Sequence, residues 1–339
     1  MIVMENNVAI PIGYRSRLGI RETEIAIKLI KDQFEMQLAD TLNLLRVSAP
    51  LFLRPETGLN DNLSGVERPV SFDVRDLSAQ VEIVQSLAKW KRYALAHYGL
   101  SPDEGLYTDM NAIRRDEVLD NLHSIYVDQW DWEKIITKEE RCRQTLHTIV
   151  LDIYRCFCRM ENHLLRHYPC LDRKLPPDLF FITSQELEDR YPHLVPQARE
   201  HAICKEYKAV FVEQIGDKLR SGQPHDVRAP DYDDWQLNGD LIFWYPTLER
   251  AVEVSSMGIR VDAEAMRRQL ALSGCLDRAE LDFHRMVLTD QLPLTIGGGI
   301  GQSRICMYFL DKAHIGEVQA SVWPERMIQD CKAYGINLL

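Results

Sequence analysis

The sequence predicts an α+β fold in which an antiparallel or mixed sheet is flanked by helices. Segments rich in β-branched and aromatic residues are grouped along the chain, and so are the segments with helical periodicity. A doubly wound parallel sheet requires strands and helices to alternate steadily, and that alternation is missing. No internal repeat, low-complexity tract or long linker interrupts the 339 residues. We therefore expect one large domain, although the length alone would allow two.

Apolar residues at helical spacing predict two long helices. The first covers 24–45, where Ile27, Ile30 and Phe34 fall on one face, and the second covers 140–165. Shorter helices are predicted at 184–190, 196–207, 263–273 and 276–288.

Strands are predicted at 70–74, 80–86, 123–133, 209–214, 241–244 and 251–257. In the third of these, period-two alternation sends Gln129, Asp131 and Glu133 to the same face. That polar row either reaches solvent at the end of a strand or lines a polar site at one end of the sheet.

The composition narrows the class of protein. A formal net charge of −11 argues against a general nucleic-acid binder, which usually carries a basic face. The eight cysteines include no C-x-x-C pair, so we expect reduced thiols rather than a zinc site or disulfide framework. The N-terminus does not resemble a secretory signal, and no apolar run approaches the ~20 residues that span a bilayer. We expect a cytoplasmic protein that does not bind membranes.

The segment TIGGGIGQSRI, Thr295 to Ile305, predicts a nucleotide site at a strand-to-helix junction. Its glycines would let the backbone approach a ligand closely. Arg304 falls in the first turn of the following helix, where the helix dipole favours negative charge, so its placement indicates a ligand role. The segment matches neither a P-loop nor a Rossmann fingerprint. The alternative is a tight glycine turn without a ligand.

Asp240 and Glu253 lie on successive predicted antiparallel strands. Carboxylates that face each other across strands repel unless a cation lies between them. Magnesium commonly binds one or two carboxylates together with substrate phosphates, which makes this pair a candidate metal site. Pairing with Arg250 or another cation is the plainer alternative.

Three further polar segments are ambiguous individually. LNDNLSG, 59–65, carries Asp61 and has the composition of a turn. SLAKWKR, 86–92, supplies three cations and would most often be a solvated face. DVRAPDYDDW, 226–235, surrounds Arg228 with four acids that bind a cation, orient the arginine or keep a loop soluble.

Together, these segments resemble the ammonia-dependent asparagine synthetases, the aspartate–ammonia ligase family. DNLSG, SLAKWKR, EGLYTDM, YVDQWDWE, SQEL, DVRAPDYDDW, LNGD, SSMGIRVD and IGGGIGQSR occur in the family's order, from about Thr23 to Trp323. The resemblance implies the catalytic fold of class II aminoacyl-tRNA synthetases and a homodimer without an anticodon-binding domain. We expect a single catalytic domain over 23–339 and an N-terminal extension, 1–22, to which we assign no role.

The implied reaction converts L-aspartate, ATP and ammonia into L-asparagine, AMP and pyrophosphate through β-aspartyl-AMP. Arg114 resembles the second-motif arginine on the α-phosphate, while Gly299 and Arg304 resemble the third-motif residues beside ATP. Asp240 and Glu253 resemble the pair that holds Mg²⁺ on ATP.

Asp61 and Gln129 match positions around the reacting carboxyl group and the incoming ammonia. Asp61 is the residue expected to bind ammonium and take its proton. The residues that match the aspartate pocket are Ser86, Lys91, Asp131, Asp233, Ser256 and Arg260. By charge, Asp131 should hold the α-ammonium group and Lys91 or Arg260 the α-carboxylate.

Two other functions are weighed against this ligase. A relative could adenylate aspartate for a different acceptor such as tRNA, but the acidic charge and missing anticodon module oppose this. A non-catalytic paralogue would need its phosphate-binding residues eroded, whereas Arg114, Asp240, Glu253 and Arg304 are present. No N-terminal cysteine or amidase-like segment indicates glutamine use, so free ammonia is the expected nitrogen donor.

Overall fold

The computed structural model describes residues 2–61, 63 and 67–339. Helices and strands are numbered separately in chain order. The helices are α1 (Ile20–Leu42), α2 (Ala88–His97), α3 (Arg143–His167), α4 (Ser184–Arg190), α5 (Pro196–Tyr207), α6 (Ala263–Leu272), α7 (Asp282–Leu288), α8 (Gln302–Phe309) and α9 (Glu325–Ala333). The strands are β1 (Ile2–Glu5), β2 (Val8–Pro11), β3 (Leu44–Arg46), β4 (Phe52–Leu53), β5 (Ser71–Val74), β6 (Ala79–Ile83), β7 (Gly105–Ile113), β8 (Tyr126–Ile135), β9 (Phe180–Thr183), β10 (Ala209–Glu213), β11 (Asp233–Tyr245), β12 (Arg250–Arg260) and β13 (Thr295–Gly301).

An eight-stranded mixed sheet forms the centre of the molecule. Its strand order is β3-β7-β8-β13-β12-β11-β10-β9. The outer pairs β3–β7 and β9–β10 are parallel, and the inner pairs are antiparallel. The predicted antiparallel or mixed sheet is therefore confirmed. β13 lies between β8 and β12, although it follows both in sequence by a long segment.

Helices pack on both faces of this sheet. On one face α1 and α3 cover β8, and Phe34 stacks on Trp130 with ring centroids 5.0 Å apart. On the other face Leu87 and Trp90 begin a second apolar cluster that includes Met266 and Phe283 from the later helices. Because side chains alternate along a strand, Gln129, Asp131 and Glu133 face α2 while the two buried tryptophans of β8 face α1 and α3.

Most predicted helices are confirmed, with boundary shifts that have local causes. The helix predicted at 24–45 starts at Ile20 and ends at Leu42. Asn43 takes a left-handed conformation with φ of 58°, and the next three residues join the sheet as β3. The helix predicted at 276–288 is divided into a 3₁₀ turn, Leu276–Glu280, and α7. The sequence interpretation did not predict α2 or β7.

The segment predicted as an extension, 1–22, is part of the main core where the structure describes it. β1 and β2 form a hairpin, and Val8 and Ile10 are fully buried in the core that contains α1 and α3. The Asn121 side chain donates to the Ala9 carbonyl at 2.8 Å and accepts from the Ala9 amide at 2.6 Å. The boundary expected at residue 22 is therefore not the edge of a separate packing unit. None of the helices in the described part of the chain is long and apolar enough to cross a membrane.

Candidate active site

A cavity of about 330 Å³ lies on the α2 side of the sheet, above β8, β13 and β12. Every site residue predicted from the sequence lines it, with the exception of Asp240. The predicted residues that line the cavity are Asp61, Ser86, Lys91, Arg114, Gln129, Asp131, Asp233, Glu253, Ser256, Arg260, Gly299 and Arg304. Residues separated by more than 200 positions in the sequence therefore line the same cavity.

The glycine strand β13 makes room for the polar row of β8. A Cβ added at Gly299 would lie 2.6 Å from Gln129 Oε1 and 2.8 Å from Asp131 Oδ1. A Cβ at Gly297 would overlap the Glu133 carboxylate. The sequence interpretation assigned the glycines to close approach of a ligand. At these two positions the structure instead fills the space with the protein's own side chains, which the glycines allow to lie across the strand.

The first turn of α2 brings a buried lysine to this row. Lys91 Nζ donates to the Gly298 carbonyl at 2.8 Å and lies 3.2 Å from Asp131 Oδ2. Lys91 is 1% exposed and Asp131 is 2% exposed. Burial lowers the pKa of Lys91, and the Asp131 carboxylate opposes that shift. Lys89 and Arg92 of the same turn are also buried, so the interpretation of SLAKWKR as a solvated face is wrong.

Arg260 joins two carboxylates at the same end of the cavity. Its Nη2 lies 2.7 Å from Glu133 Oε2, and its Nη1 pairs with Asp233. The Thr295 hydroxyl also donates to Glu133, at 2.6 Å. Burial alone would raise the pKa of Glu133, but the Arg260 guanidinium, together with Lys91 and the Thr295 hydroxyl, outweighs burial and holds that pKa below its ordinary value. This end of the cavity, with Lys91, Asp131, Glu133, Asp233 and Arg260, is called the paired end below.

The opposite end of the cavity carries Arg114 and Arg304. Arg304 lies in the first turn of α8 and donates from Nη1 to the Glu253 backbone carbonyl at 2.8 Å. Arg114 follows β7, and its buried Nε has no hydrogen-bond partner among the described residues. The N-terminus of α8 is satisfied by Asp128, whose Oδ1 accepts from the Ser303 amide at 3.0 Å. Arg304 has only N–H donors and cannot provide such a cap, so its place in this first turn serves another purpose.

Asp240 pairs with Arg228 behind this end of the cavity. The two predicted metal carboxylates do lie on successive antiparallel strands, but Asp240 is opposite Ser256 and Glu253 is opposite Ile242. The cation beside Asp240 is the Arg228 guanidinium. Burial raises the pKa of Asp240 to about 8, with Arg228 opposing and Glu253 adding to the shift. This end, with Arg114, Arg304, Arg228, Asp240 and Glu253, is called the open end below.

The open end is compatible with a divalent cation. Asp240 Oδ1 is buried without a hydrogen-bond partner among the described residues, and the Glu253 carboxylate acts electrostatically on the same side chain. Carboxylate oxygens are hard ligands that suit Mg²⁺. The part of the chain that the structure describes holds no cluster of three or more His, Cys, Asp or Glu side chains arranged for a metal ion. A metal at this pair would therefore take further ligands from a bound phosphate chain or water.

Asp61 lies between the two ends. It is 1% exposed, and its Oδ1 accepts from the Leu63 amide at 3.1 Å. Its buried Oδ2 has no hydrogen-bond partner among the described residues. Burial raises the pKa of Asp61, and the nearby charges of Lys89 and Arg114 oppose the shift. The remainder of the DNLSG motif, at 62, 64 and 65, lies outside the described residues.

Three side chains that line the cavity were not assigned to the site from the sequence. Asp128, Arg228 and Tyr232 line the cavity, and Tyr232 lies under the Arg260 guanidinium at 5.8 Å. In the sequence, Asp128 falls on the otherwise apolar face of β8, directly before Gln129. A lone carboxylate on an apolar strand face could have identified it as a residue with a specific partner. Arg228 was noted as the centre of an acidic run, but nothing in the sequence identified Asp240 as its partner.

Comparison with known proteins identifies the family. The sequence profile of the family described as aspartate-ammonia ligase matches residues 21–335. A protein of Ruminiclostridium cellulolyticum named aspartate–ammonia ligase is 62% identical over 335 residues, which cover 98% of this chain and 100% of the relative. One of Clostridium tetani with the same name is 60% identical over 339 residues, covering 100% of this chain and 99% of the relative. The N-terminal hairpin region lies before the profile match but is included in the match to the Clostridium tetani relative.

Solved structures share the fold at low sequence identity. Asparaginyl-tRNA synthetase from Pyrococcus horikoshii, complexed with asparaginyl-adenylate, has a TM-score of 0.64 at 15% identity and covers 90% of this chain and 71% of that chain. An aspartyl-tRNA synthetase from Entamoeba histolytica has a TM-score of 0.59 at 14% identity, covering 88% of this chain and 58% of that chain. The class II synthetase fold is thereby confirmed, and the profile match together with the two close relatives shows that this chain belongs to the aspartate–ammonia ligase family.

Proposed function

We propose that this chain converts L-aspartate, ATP and ammonia into L-asparagine, AMP and pyrophosphate through a β-aspartyl-AMP intermediate. The observation that carries the proposal is the single cavity that joins the paired end to Arg114 and Arg304. An amino acid with charged groups at both ends suits the paired charges, and a triphosphate suits the arginines. Family membership supports the same reaction.

The chemistry requires activation because a carboxylate is a poor acceptor for an amine. A side-chain carboxylate oxygen of aspartate attacks the α-phosphorus of ATP, and the bond to pyrophosphate breaks. Neutral ammonia then attacks the acyl carbon, AMP leaves with the bonding electrons, and the excess proton passes to a base. Positioning and charge stabilisation supply most of the catalysis in such transfers.

The open end supplies the charges for the first step. Arg114 neutralises the five-coordinate transition state at the α-phosphorus, and its Nε, which no described residue hydrogen-bonds, supports a role in binding an anion. Arg304 contacts the adenine and the phosphates, with Gly299 beside them. Asp240 and Glu253 would hold Mg²⁺, which when bound neutralises phosphate charge. Arg228 would then exchange Asp240 for another anion, such as a phosphate oxygen.

The paired end orients the amino acid. Asp131 receives the α-ammonium group, and Lys91 and Arg260 receive the α-carboxylate. Arg260 engages three of its five N–H groups with Glu133 and Asp233, which leaves two for a ligand. The other pocket side chains, from the β-strands and the start of α2, define its walls: Ser86, Gln129, Asp233 and Ser256.

Asp61 receives ammonium and takes its proton, which converts the bound ion into the nucleophile. Its Oδ2, without a hydrogen-bond partner in the described part of the chain, and its raised pKa support this role, because a carboxylate with an elevated pKa is a better base near neutral pH. Gln129 lies beside the acyl carbon and contributes neutral hydrogen-bonding groups.

We also propose a homodimer. Exposed apolar side chains on α1, among them Ile25 and Met36, are followed by exposed Leu45 on the edge strand β3. Such side chains gain from being covered by a second copy. Light scattering coupled to size-exclusion chromatography tests this proposal, and a monomer at micromolar concentration would refute it.

The reaction is tested by incubating the protein with aspartate, ATP and Mg²⁺, with either ammonium or glutamine as nitrogen donor, and by measuring AMP and asparagine. We expect both products with ammonium and little with glutamine. AMP formation without asparagine would contradict the proposal and favour a different acceptor such as tRNA. No AMP in any mixture would indicate a non-catalytic protein. Omission of Mg²⁺ should abolish the reaction.

A further inference from the structure

A buried cluster of four charged or titratable side chains lies behind the cavity wall near Asp61. Its centre is Asp231 Oδ2, which lies 3.3 Å from Lys89 Nζ, 3.2 Å from Arg278 Nη1 and 3.0 Å from His284 Nε2. Asp231 and His284 are fully buried, and Lys89 is almost so. None of the four lines the cavity. They therefore do not contact a substrate there, and the proposed mechanism does not use them.

Lys89 is close enough to act on Asp61 as well as on Asp231. Its positive charge is the largest electrostatic influence on Asp61, and the Asp231 carboxylate is the next. However, Lys89 lies within ion-pair distance of Asp231 and of no other carboxylate among the described residues. The lysine is thus held by the carboxylate behind the wall rather than by the one that faces the cavity.

This choice of partner matters because Asp61 Oδ2 is buried and unpartnered among the described residues. A buried carboxylate gains strongly from a neighbouring ammonium group, and an uncompensated one is costly. A lysine free to move would therefore occupy Asp61. Ammonium carries the same charge and the same N–H donors as the lysine head group, so the two cations would compete for one carboxylate.

We propose that Asp231 is a positioning residue for ammonium: by binding Lys89 behind the cavity wall, it keeps Asp61 available to the substrate cation. Arg278 and His284 hold Asp231 itself in place. This inference rests on the proposed function, since it takes Asp61 as the ammonium site. It adds a determinant of ammonium affinity that contacts no substrate.

The test is Asp231→Asn, which removes the charge that binds Lys89 and keeps the shape of the side chain. We expect the KM for ammonium to rise about tenfold, a size typical of coupling between groups in contact. The KM values for aspartate and ATP, and aspartate-dependent exchange of pyrophosphate into ATP, should stay within about twofold, well below such coupling. An unchanged KM for ammonium, or an equal rise in all three KM values, would overturn the proposal.

The double variant Asp231→Asn/Lys89→Met separates positioning from general damage. It removes the competing cation, so the KM for ammonium should return to near the wild-type value, whereas a merely structural Asp231 would leave the KM high. Arg278→Met is the matched control, because it removes another cation from Asp231 but leaves the Lys89 pair intact. A rise in the KM for ammonium in this control equal to that of Asp231→Asn would contradict the proposal.

Lys89→Met alone keeps the proposal testable if Asp231→Asn does not fold. Its KM for ammonium should equal or fall below the wild-type value, and a clear increase would show that Lys89 assists ammonium binding instead. The wild-type protein separates a failure of the proposed reaction from a failure of the positioning role of Asp231. If it forms no asparagine with ammonium, the proposed function fails, and if it does while Asp231→Asn behaves as wild type, only the positioning role fails.

Discussion

The two ends of the cavity differ in how completely their polar groups are paired. At the paired end, none of the buried side-chain nitrogen and oxygen atoms of Lys91, Asp131, Glu133, Asp233 and Arg260 lacks a partner. At the open end, Arg114 Nε, Arg228 Nε and Asp240 Oδ1 have no hydrogen-bond partner among the described residues. Both ends are rich in charge, so charge content alone does not distinguish them.

The difference indicates two ways of building a binding site. Buried polar groups are normally hydrogen-bonded, and a complete network fixes the position of each member. The paired end is therefore preorganised for one small, specific ligand. The open end keeps unused donors and acceptors that a ligand with several charges, such as a metal–triphosphate complex, would satisfy. Substitutions at the two ends should consequently affect different properties.

The largest effect is expected from Arg114→Ala at the open end. Removing a cation from the transferring phosphoryl group should lower the rate of adenylate formation by about 10³-fold or more. Stability should change little because Arg114 forms no ion pair with the part of the chain that the structure describes. Pyrophosphate exchange and thermal unfolding measure the two properties, and the neighbouring exposed Arg115→Ala is the control. Turnover retained within tenfold would show that the assignment of Arg114 is wrong.

At the paired end, Arg260→Met should mainly reduce stability. It leaves the Glu133 and Asp233 carboxylates buried without their cation, which typically costs about 3–5 kcal/mol. The free energy of unfolding in denaturant measures this cost. If Arg260→Met lowered the free energy of unfolding by less than Arg114→Ala does, the distinction between the two ends would be refuted.

Strand β13 runs from the paired end, where Gly297 is opposite Glu133, to the open end, where Arg304 follows Gly301 in α8. In Gly299→Ala the new methyl group would displace Gln129 and Asp131, and a shift of about 1 Å in a positioning group can cost 10²-fold in rate. We expect a loss of that order in kcat/KM for aspartate. Gly301→Ala is the comparison, since among the described residues its added Cβ would approach only the Cβ of Arg304, at 3.2 Å. Equal losses in both variants would refute the explanation.

The smallest expected effect is a change with pH in the free energy of unfolding that is lost in Arg260→Met. The folded-state pKa of Glu133 is below its ordinary value. The ionised carboxylate therefore contributes fully to the free energy of unfolding when the pH is above the ordinary pKa, and this contribution is lost as the pH falls through the folded-state pKa. In the variant, Glu133 loses its cation and takes up a proton more readily. The difference in unfolding free energy between wild type and variant should therefore shrink between pH 7 and pH 4. A constant difference would indicate that the cost is not electrostatic.

The sequence predicted the sheet more successfully than it predicted which charged side chains pair with one another. Period-two alternation correctly placed Gln129, Asp131 and Glu133 on one face because strand geometry is local. The fold class followed from grouped patterns and the resemblance. Which charges pair depends on long-range contacts that composition does not reveal. SLAKWKR has the composition of a solvated segment, yet Lys89, Lys91 and Arg92 are buried against acids and carbonyls from distant parts of the chain.

The N-terminal segment illustrates the same limit. Strands of four residues are too short for period-two alternation to be recognised. The position of the β1–β2 hairpin is fixed by hydrogen bonds with Asn121 and by packing on the core that contains α1 and α3. Likewise, Arg228 and Asp240 are only 12 positions apart, but their pairing depends on how the connection folds back on β11. Local patterns identify elements, whereas tertiary contacts decide which charges are neutralised.

The position of β13 has a consequence for how the protein forms. β8 and β12 are both synthesised before β13, and neither has its inner neighbour until Thr295–Gly301 is available. During translation the sheet therefore exists as two halves, each with an unpaired edge of the kind that promotes misassembly. The strand that joins them is rich in glycine and has little side-chain surface of its own. Closure of the sheet and assembly of the catalytic residues are thus one late, long-range event, and chaperone dependence or slow refolding should follow from the topology.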